Sequence, residues 1–243
     1  MSVRLFFIRM LVMKIYLASG NLNKKREMSE IFSEHTIVIP KDEGIDFDPV
    51  ETGTDFYQNS MIKARSLWDI VHCPVIADDS GICVDALGGI PGVWSARYAG
   101  PDFPKGKPDG SKISQEEQNA FLIESLNKKL AVFSDITDPK KFVTSENPDY
   151  IPAFINGPRS AHYSCSMVLM LNPSRFFIAQ ETMEGTIIED IKDARGQYGF
   201  GYDPIFFLPQ YGKTDAELLP EQKNAISHRG KACRILQKIM AGL

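Results

Sequence analysis

Apolar residues recur along this chain with two periods, the alternation of strands and the three-to-four spacing of helices, and their order is informative. Residues 14–18 (KIYLA) form a short apolar strand that stops at Ser19-Gly20-Asn21. Met28, Ile31 and Phe32 then share one face of a helix over residues 23–33. A second strand is expected at residues 37–39, followed by an acidic loop with Asp42, Glu43, Asp46, Asp48 and Glu51. Thr54 can cap the next helix, whose face of Phe56, Leu67 and Val71 also carries Ser60 and Ala64. On that helix Asn59 and Lys63 stand four residues apart, hence side by side.

Val75, Ile76 and Ala77 read as the end of a buried strand, with Asp78-Asp79 at its mouth and a turn at Gly81. Residues 82–84 and the run 88–92 (GGIPG) read as strand and tight turn, with Arg97 and Tyr98 in an exposed segment beyond. Residues 101–112 are rich in Pro, Gly and Lys and are expected to be a mobile loop. Ser114 and Glu117 have capping-box spacing ahead of a helix with Phe121, Leu122, Leu126 and Leu130 as its buried stripe. Residues 135–158 read as a polar surface excursion. Three strands over residues 160–171, 176–181 and 184–188 suggest a meander, because no helix-length segment separates them. A Gly-aromatic loop, residues 199–204 (GFGYDP), precedes a strand at 205–208, and Ser227 can cap a final helix with Ala232, Ile235, Leu236 and Ile239 facing the core.

This order predicts an α/β fold with a mixed rather than purely parallel sheet. The expected organisation is one domain over residues 13–243, with a long insertion around 101–159 and residues 1–12 as an N-terminal extension. The apolar run in that extension is broken by Arg4 and Arg9 and is shorter than the roughly 20 residues of a membrane span.

Composition narrows the function. With 27 basic and 31 acidic residues the net charge is −4, so no general nucleic-acid surface is indicated. Cys73, Cys83, Cys165 and Cys233 lack metal-binding or CxxC spacing, which points to reduced thiols and a cytoplasmic protein without a membrane segment.

The candidate chemistry lies at element ends. Carboxylates at a strand mouth can hold a metal or act in catalysis, although an Asx-type turn explains Asp78-Asp79-Ser80-Gly81 equally. Successive strand residues point to opposite faces, so only one of Asp78 and Asp79 need face a given site, and Asp79 is the better candidate. The Ser19-Gly20-Asn21 turn opens a helix with Lys24 and Lys25 in its first turn. His228, Arg229 and Lys231 stand in the first turn of the last helix, with Lys223 upstream. Cations there oppose the helix dipole and suggest a nearby anion, such as a phosphate.

Together these parts suit a metal–triphosphate ligand with a planar base. Five stretches, in order, resemble the inosine triphosphate pyrophosphatase family: Ser19-Gly20-Asn21 with Lys24; Glu51-Thr52-Gly53 leading to Asn59 and Lys63; residues 77–98; Phe200-Gly201-Tyr202-Asp203-Pro204; and Ser227-His228-Arg229-Gly230. The resemblance implies an elongated mixed sheet flanked by helices, two lobes around an active-site cleft, and a homodimer. It implies Mg²⁺-dependent hydrolysis of ITP, dITP and XTP to monophosphate and pyrophosphate. By the same resemblance Glu51 and Asp79 would hold Mg²⁺, and Asp79 or its close neighbourhood would activate water. Ser19, Gly20, Asn21, Lys24, Lys63 and Lys223 would bind the triphosphate, and Ser80 would touch the substrate. Phe200, Gly201, Tyr202 and Asp203 would hold the purine, with His228 and Arg229 reading its 6-oxo edge and Asp78 at most in support.

Ser19, Trp94, residues 193–196 and the long insertion depart from the family pattern. The competing readings are a Maf-like pyrophosphatase of other nucleotides and a nucleotide-binding protein without catalysis. A nucleic-acid-binding domain is disfavoured by the acidic balance.

Overall fold

A computed structural model describes residues 12–132, 138–145 and 147–243; the expected extension at residues 1–12 lies almost wholly outside the described residues. Strand β1 (Lys14–Leu17) leads into helix α1 (Leu22–Ile31) and strand β2 (Thr36–Val38), and helix α2 (Phe56–Val71) leads into strand β3 (Val75–Val84). Helix α3 (Gln115–Val132) precedes the long strands β4 (Ser160–Asn172) and β5 (Arg175–Ile187). Short strands β6 (Phe206–Leu208) and β7 (Lys213–Thr214) and helices α4 (Pro220–Ile226) and α5 (His228–Met240) complete the chain. The sheet order is β2-β1-β3-β4-β5-β6-β7, with β1 parallel to β2 and β3 and every later pairing antiparallel. The expected mixed α/β sheet flanked by helices is therefore the observed architecture.

The crossovers determine where a ligand can enter. Helix α1 packs Met28 and Phe32 with Ile15 and Leu17 on one face of the sheet, where α5 adds Ala232, Cys233 and Leu236. Helix α2 packs Met61, Ala64 and Leu67 against Tyr16, Ala18, Val75 and Ala77 on the opposite face. The chain thus leaves β1 on one side and re-enters at β3 from the other, which makes their carboxyl ends a topological switch point. Of β3, Val75 and Ile76 pair with β1; further along, the 90–95 segment meets that edge, with Pro91 bridging Cys83 and Ser95 Oγ accepting from the Ile82 N–H at 2.9 Å.

Strands β3, β4 and β5 pass through two hydrophobic regions. Ile76, Met167, Leu169 and Ala179 belong to the α1/α5 core, whereas Ile82, Val84, Ala161, Tyr163, Met183 and Ile187 belong to a second core under α3. Between them the buried residues turn polar: Asp78 and Asp79 in β3, and Ser164 and Ser166 in β4. In register Asp79 faces Ser166 and Gly81 faces Ser164, so a polar waist separates two lobes.

Several local expectations change. There is no turn at Gly81, because β3 runs unbroken from Val75 to Val84 along β4. Gly81 serves close packing: a Cβ there would meet Ser95 Oγ at 2.3 Å and the Gly92 carbonyl oxygen at 2.4 Å. Arg175–Ile187 likewise form one strand with no turn at 182–183, since β4 pairs along its length. Asp55 caps α2 in place of Thr54, its carboxylate accepting from the Gln58 N–H at 2.7 Å. Tyr98 is buried with its hydroxyl donating to Ser125 Oγ at 2.7 Å, so only Arg97 of that pair is exposed. The capping box at Ser114 and Glu117 and the Ser227 cap of α5 form as expected.

The insertion is more than surface. Phe142 is fully buried in the second core, its ring edge-on to Phe154 at 5.0 Å. The buried carboxylate of Asp85 accepts from the Phe154 N–H at 2.7 Å and from the Tyr150 hydroxyl. Gly89 accommodates this layer, since a Cβ there would stand 2.5 Å from the Tyr150 ring.

Candidate active site

Alternation along β3 separates the two aspartates. Asp79 points towards α2, where Asn59 Nδ2 donates to its Oδ2 at 3.2 Å and Lys63 Nζ to its Oδ1 at 3.1 Å. The same ammonium pairs with Glu51 Oε1 at 2.8 Å. Helical spacing thus brings Asn59 and Lys63 to one carboxylate, and the acidic loop closes over them. The Asn59 side chain also accepts from the Gly53 N–H at 2.8 Å, tying that loop down. Burial, with Glu51 nearby, raises the Asp79 pKa even though Lys63 and Lys24 lower it. The Lys63 pKa is raised: burial works against its charge, but Asp79, Asp78 and Glu51 outweigh it.

Asp78 points to the other face and is fully buried. Its Oδ2 lies 2.8 Å from Lys24 Nζ and 3.2 Å from Arg229 Nε, which joins β3 to α1 and α5. Burial pushes this carboxyl up, but the Lys24, Arg229 and Lys63 charges hold it well below the usual range. Arg229 also donates to Ser80 Oγ at 3.0 Å and to Glu27, so three of its five N–H donors are committed. The cations at the helix starts therefore already have protein partners. Lys24 and Arg229 share Asp78, Lys25 pairs with Asp42 at 2.7 Å, and Lys231 donates to the Thr182 carbonyl at 2.7 Å. Their positions alone do not require an external anion.

Above this waist opens a cavity of about 590 Å³. Ser19, Gly20, Asn21 and Lys24 line one part and Glu51, Lys63, Asp79 and Ser80 another. Phe200, Gly201, Tyr202, Asp203, Lys223, His228 and Arg229 line the rest, so the residues expected to bind metal or substrate meet in one cavity, whereas Asn59, Asp78, Lys25 and Lys231 do not line it. Asn21 caps α1 with its side chain, accepting from the Asn23 N–H at 2.9 Å, which holds the Ser19-Gly20-Asn21 turn at the opening.

At the aromatic end, Phe200 is partly exposed while Tyr202 is buried with its hydroxyl donating to the Ser95 carbonyl at 2.9 Å. Asp203 is also buried: Oδ1 accepts from the Tyr163 hydroxyl at 3.0 Å, and Oδ2 from the Phe200 N–H at 2.6 Å and Lys223 Nζ at 2.6 Å. Lys223 therefore sits with the Gly-aromatic loop, 5.6 Å from the Phe200 ring centre, and not in the Asp78 ion cluster that holds Lys24. His228 stacks on Tyr163 at 4.9 Å with 7° between the rings. Burial, then the Arg229 and Lys223 charges, push its pKa well below the ordinary value, so the imidazole is neutral.

Sequence reasoning did not find Tyr163, Glu27 or Asp215. Tyr163 lies in an alternating strand where an aromatic reads as core, and Glu27 and Asp215 carry no local signal. Asn59 was visible through its spacing to Lys63 and through the family resemblance.

The sheet's switch point, the divided aspartates and an aromatic-ended, mixed-charge cavity define an α/β protein with a site of nucleotide size and character. A profile of the Ham1 family matches residues 15–128 and 116–239. The chain is 47% identical over 230 residues to the dITP/XTP pyrophosphatase of Treponema denticola, covering 95% of this chain and 100% of that protein. It is 36% identical over 227 residues to the dITP/XTP pyrophosphatase of Escherichia coli K12, covering 92% and 95%. The solved HAM1 protein of Coxiella burnetii superposes with a TM-score of 0.74 at 33% identity, covering 96% of this chain and 100% of that one. The chain belongs to the Ham1 family.

Proposed function

We propose that the protein is a nucleoside triphosphate pyrophosphatase that hydrolyses ITP, dITP and XTP to the monophosphate and pyrophosphate. The observation that carries this reading is the convergence of Glu51, Lys63 and Asp79 in the same cavity as the Ser19–Lys24 turn and the Phe200 platform. The relatives named dITP/XTP pyrophosphatase support the substrate class.

The donor set fits Mg²⁺. Glu51 and Asp79 already converge on one cation, the Lys63 ammonium, and both offer only oxygen. No cluster of three or more His, Cys, Asp or Glu side chains suited to a metal occurs among the described residues. Two carboxylates suffice where phosphate oxygens and water would supply the other ligands. When bound, the ion polarises the phosphate and makes bound water more acidic.

The chain's own groups do the rest. Asp79, with its raised pKa, takes the proton of the attacking water at the α-phosphorus. Lys63 offsets charge on the phosphates, and Lys24 is near enough to the turn to share that role. Phe200 offers a ring face to the purine, and Tyr202 braces the loop from behind. Neutral His228 and the uncommitted N–H groups of Arg229 face the base end, where a 6-oxo group accepts hydrogen bonds and the 6-amino group of adenine does not. Each buried mismatch of that kind costs about 1–3 kcal/mol.

A homodimer and a cytoplasmic location belong to the same reading, with residues 13–243 as one catalytic domain. The test is a nucleotide panel with Mg²⁺ in which pyrophosphate is quantified. ITP, dITP and XTP should release it far faster than dATP, dGTP or dUTP. Preference for dUTP would favour a Maf-like activity, and tight binding of ITP without turnover would favour a non-catalytic binding protein.

A further inference from the structure

Behind the Phe200 end of the cavity lies an acid that the proposed reaction does not use. Asp215 follows β7 in a short helical turn and is fully buried. Its Oδ2 is 2.9 Å from Lys223 Nζ, whose other partner is Asp203 Oδ2 at 2.6 Å. Among the described residues neither Asp215 oxygen has a hydrogen-bond partner of good geometry. One ammonium is thus flanked by two buried carboxylates, one more than it can neutralise. Asp203 also accepts from the Tyr163 hydroxyl and the Phe200 N–H, whereas among the described residues the Asp215 carboxylate pairs with the lysine.

The groups facing Asp215 are few. They are Lys223 from α4, Asp203 from the loop before β6, and, through its field, Tyr163 from β4; His228 stands beyond, stacked on Tyr163. Burial, with the Asp203 charge added, pushes the Asp215 carboxyl up to about 7 against the lowering pull of Lys223. Below neutrality the three groups sum to zero charge; above it they carry one net negative charge in a low-dielectric wall.

That charge matters unequally to the two bases. Hypoxanthine is neutral throughout the physiological range. Xanthine linked to ribose at N9, as in XTP, has a second ring carbonyl, loses a ring proton below neutral pH and is then an anion. We propose that Asp215 is a specificity-determining positioning residue: through Lys223 it determines how well the base end of the cavity accepts the anionic xanthine relative to neutral hypoxanthine. With Asp215 protonated, Lys223 and Asp203 balance each other, so the cluster carries no net charge to repel the xanthine anion and the ammonium keeps an N–H to donate to it. With Asp215 ionised, the second carboxylate engages that N–H and repels the base, whereas hypoxanthine is hardly affected.

This inference rests on the pyrophosphatase reading and can fail separately from it. The experiment is kcat/KM for XTP and dITP, by pyrophosphate release with Mg²⁺, at several pH values between about 6.5 and 8.5. Wild type and Asp215→Asn are compared. The wild-type XTP-to-dITP ratio is expected to fall roughly tenfold as pH rises through neutrality, while Asp215→Asn keeps the high ratio throughout. A simple structural loss would lower both substrates together and leave the ratio unmoved. The wild-type profile needs no variant, so misfolding of Asp215→Asn would not spare the idea. A wild-type ratio constant across the range, or an identical fall in a folded Asp215→Asn, overturns the role of Asp215 and leaves the pyrophosphatase reading standing. Absence of pyrophosphate from either nucleotide overturns both.

Discussion

Lys63 Nζ lies 3.1 Å from Asp79 Oδ1 and 2.8 Å from Glu51 Oε1, so one buried ammonium links the acidic loop to the middle of the sheet. Its charge is among the influences that lower the Asp79 pKa against burial. Lys63→Met removes that influence. Its kcat/KM for dITP should fall by about 10²-fold or more, a loss typical of a removed charge stabiliser. The pH–rate curve should also move: the limb that reports Asp79 as a base shifts to higher pH, because the carboxyl holds its proton longer. A measured limb that stays in place while activity falls would separate Lys63 from the tuning of Asp79.

Asp78 has a different task, and stability measurements distinguish it. Its folded pKa is depressed below the ordinary 3.8 by Lys24, Arg229 and Lys63. The stability it contributes is therefore complete above about pH 4 and is lost as pH falls through the lower folded value. Asp78→Asn leaves buried Arg229 and half-buried Lys24 short of a partner and should cost about 3–5 kcal/mol. Urea titrations of both proteins should give a difference that is constant from neutrality down to about pH 5 and shrinks only in stronger acid. A difference that vanishes by pH 6 would contradict the assignment.

Much of this site was legible because its parts are local. The turn at residues 19–21, the helical pairing of Asn59 with Lys63 and the cap at Ser227 are each written within a few residues. Strand alternation also separated Asp78 from Asp79 correctly. What the chain did not reveal was continuity. Asp-Asp-Ser-Gly reads as a turn by composition, yet β4 offers ten paired positions and carries β3 through it. Gly81 is needed for the approach of Ser95, a contact between segments that no local pattern encodes. The same limit hid Asp215 and the protein partners of the cations at the helix starts. The lysines were read as awaiting an anion, and the anion for Lys24 is Asp78, 54 positions away in the chain but adjacent in space.

The insertion offers a further test. Read from composition it is surface, yet Phe142 is fully buried in the core beneath α3. Phe142→Ala should cost about 3–5 kcal/mol by denaturant titration, the range for a truncated buried aromatic. A loss under about 0.5 kcal/mol, the range of surface substitutions, would return the segment to decoration.

The central claim is that Asp79 directs water to the α-phosphorus in this cavity. Hydrolysis of dITP with Mg²⁺ in heavy-oxygen water, by wild type and by Asp79→Asn, tests it most directly. The label is expected in the monophosphate and not in the pyrophosphate, and Asp79→Asn is expected to be slower by about 10²–10⁴-fold. Label in pyrophosphate or orthophosphate, or an Asp79→Asn variant as fast as wild type, would contradict it.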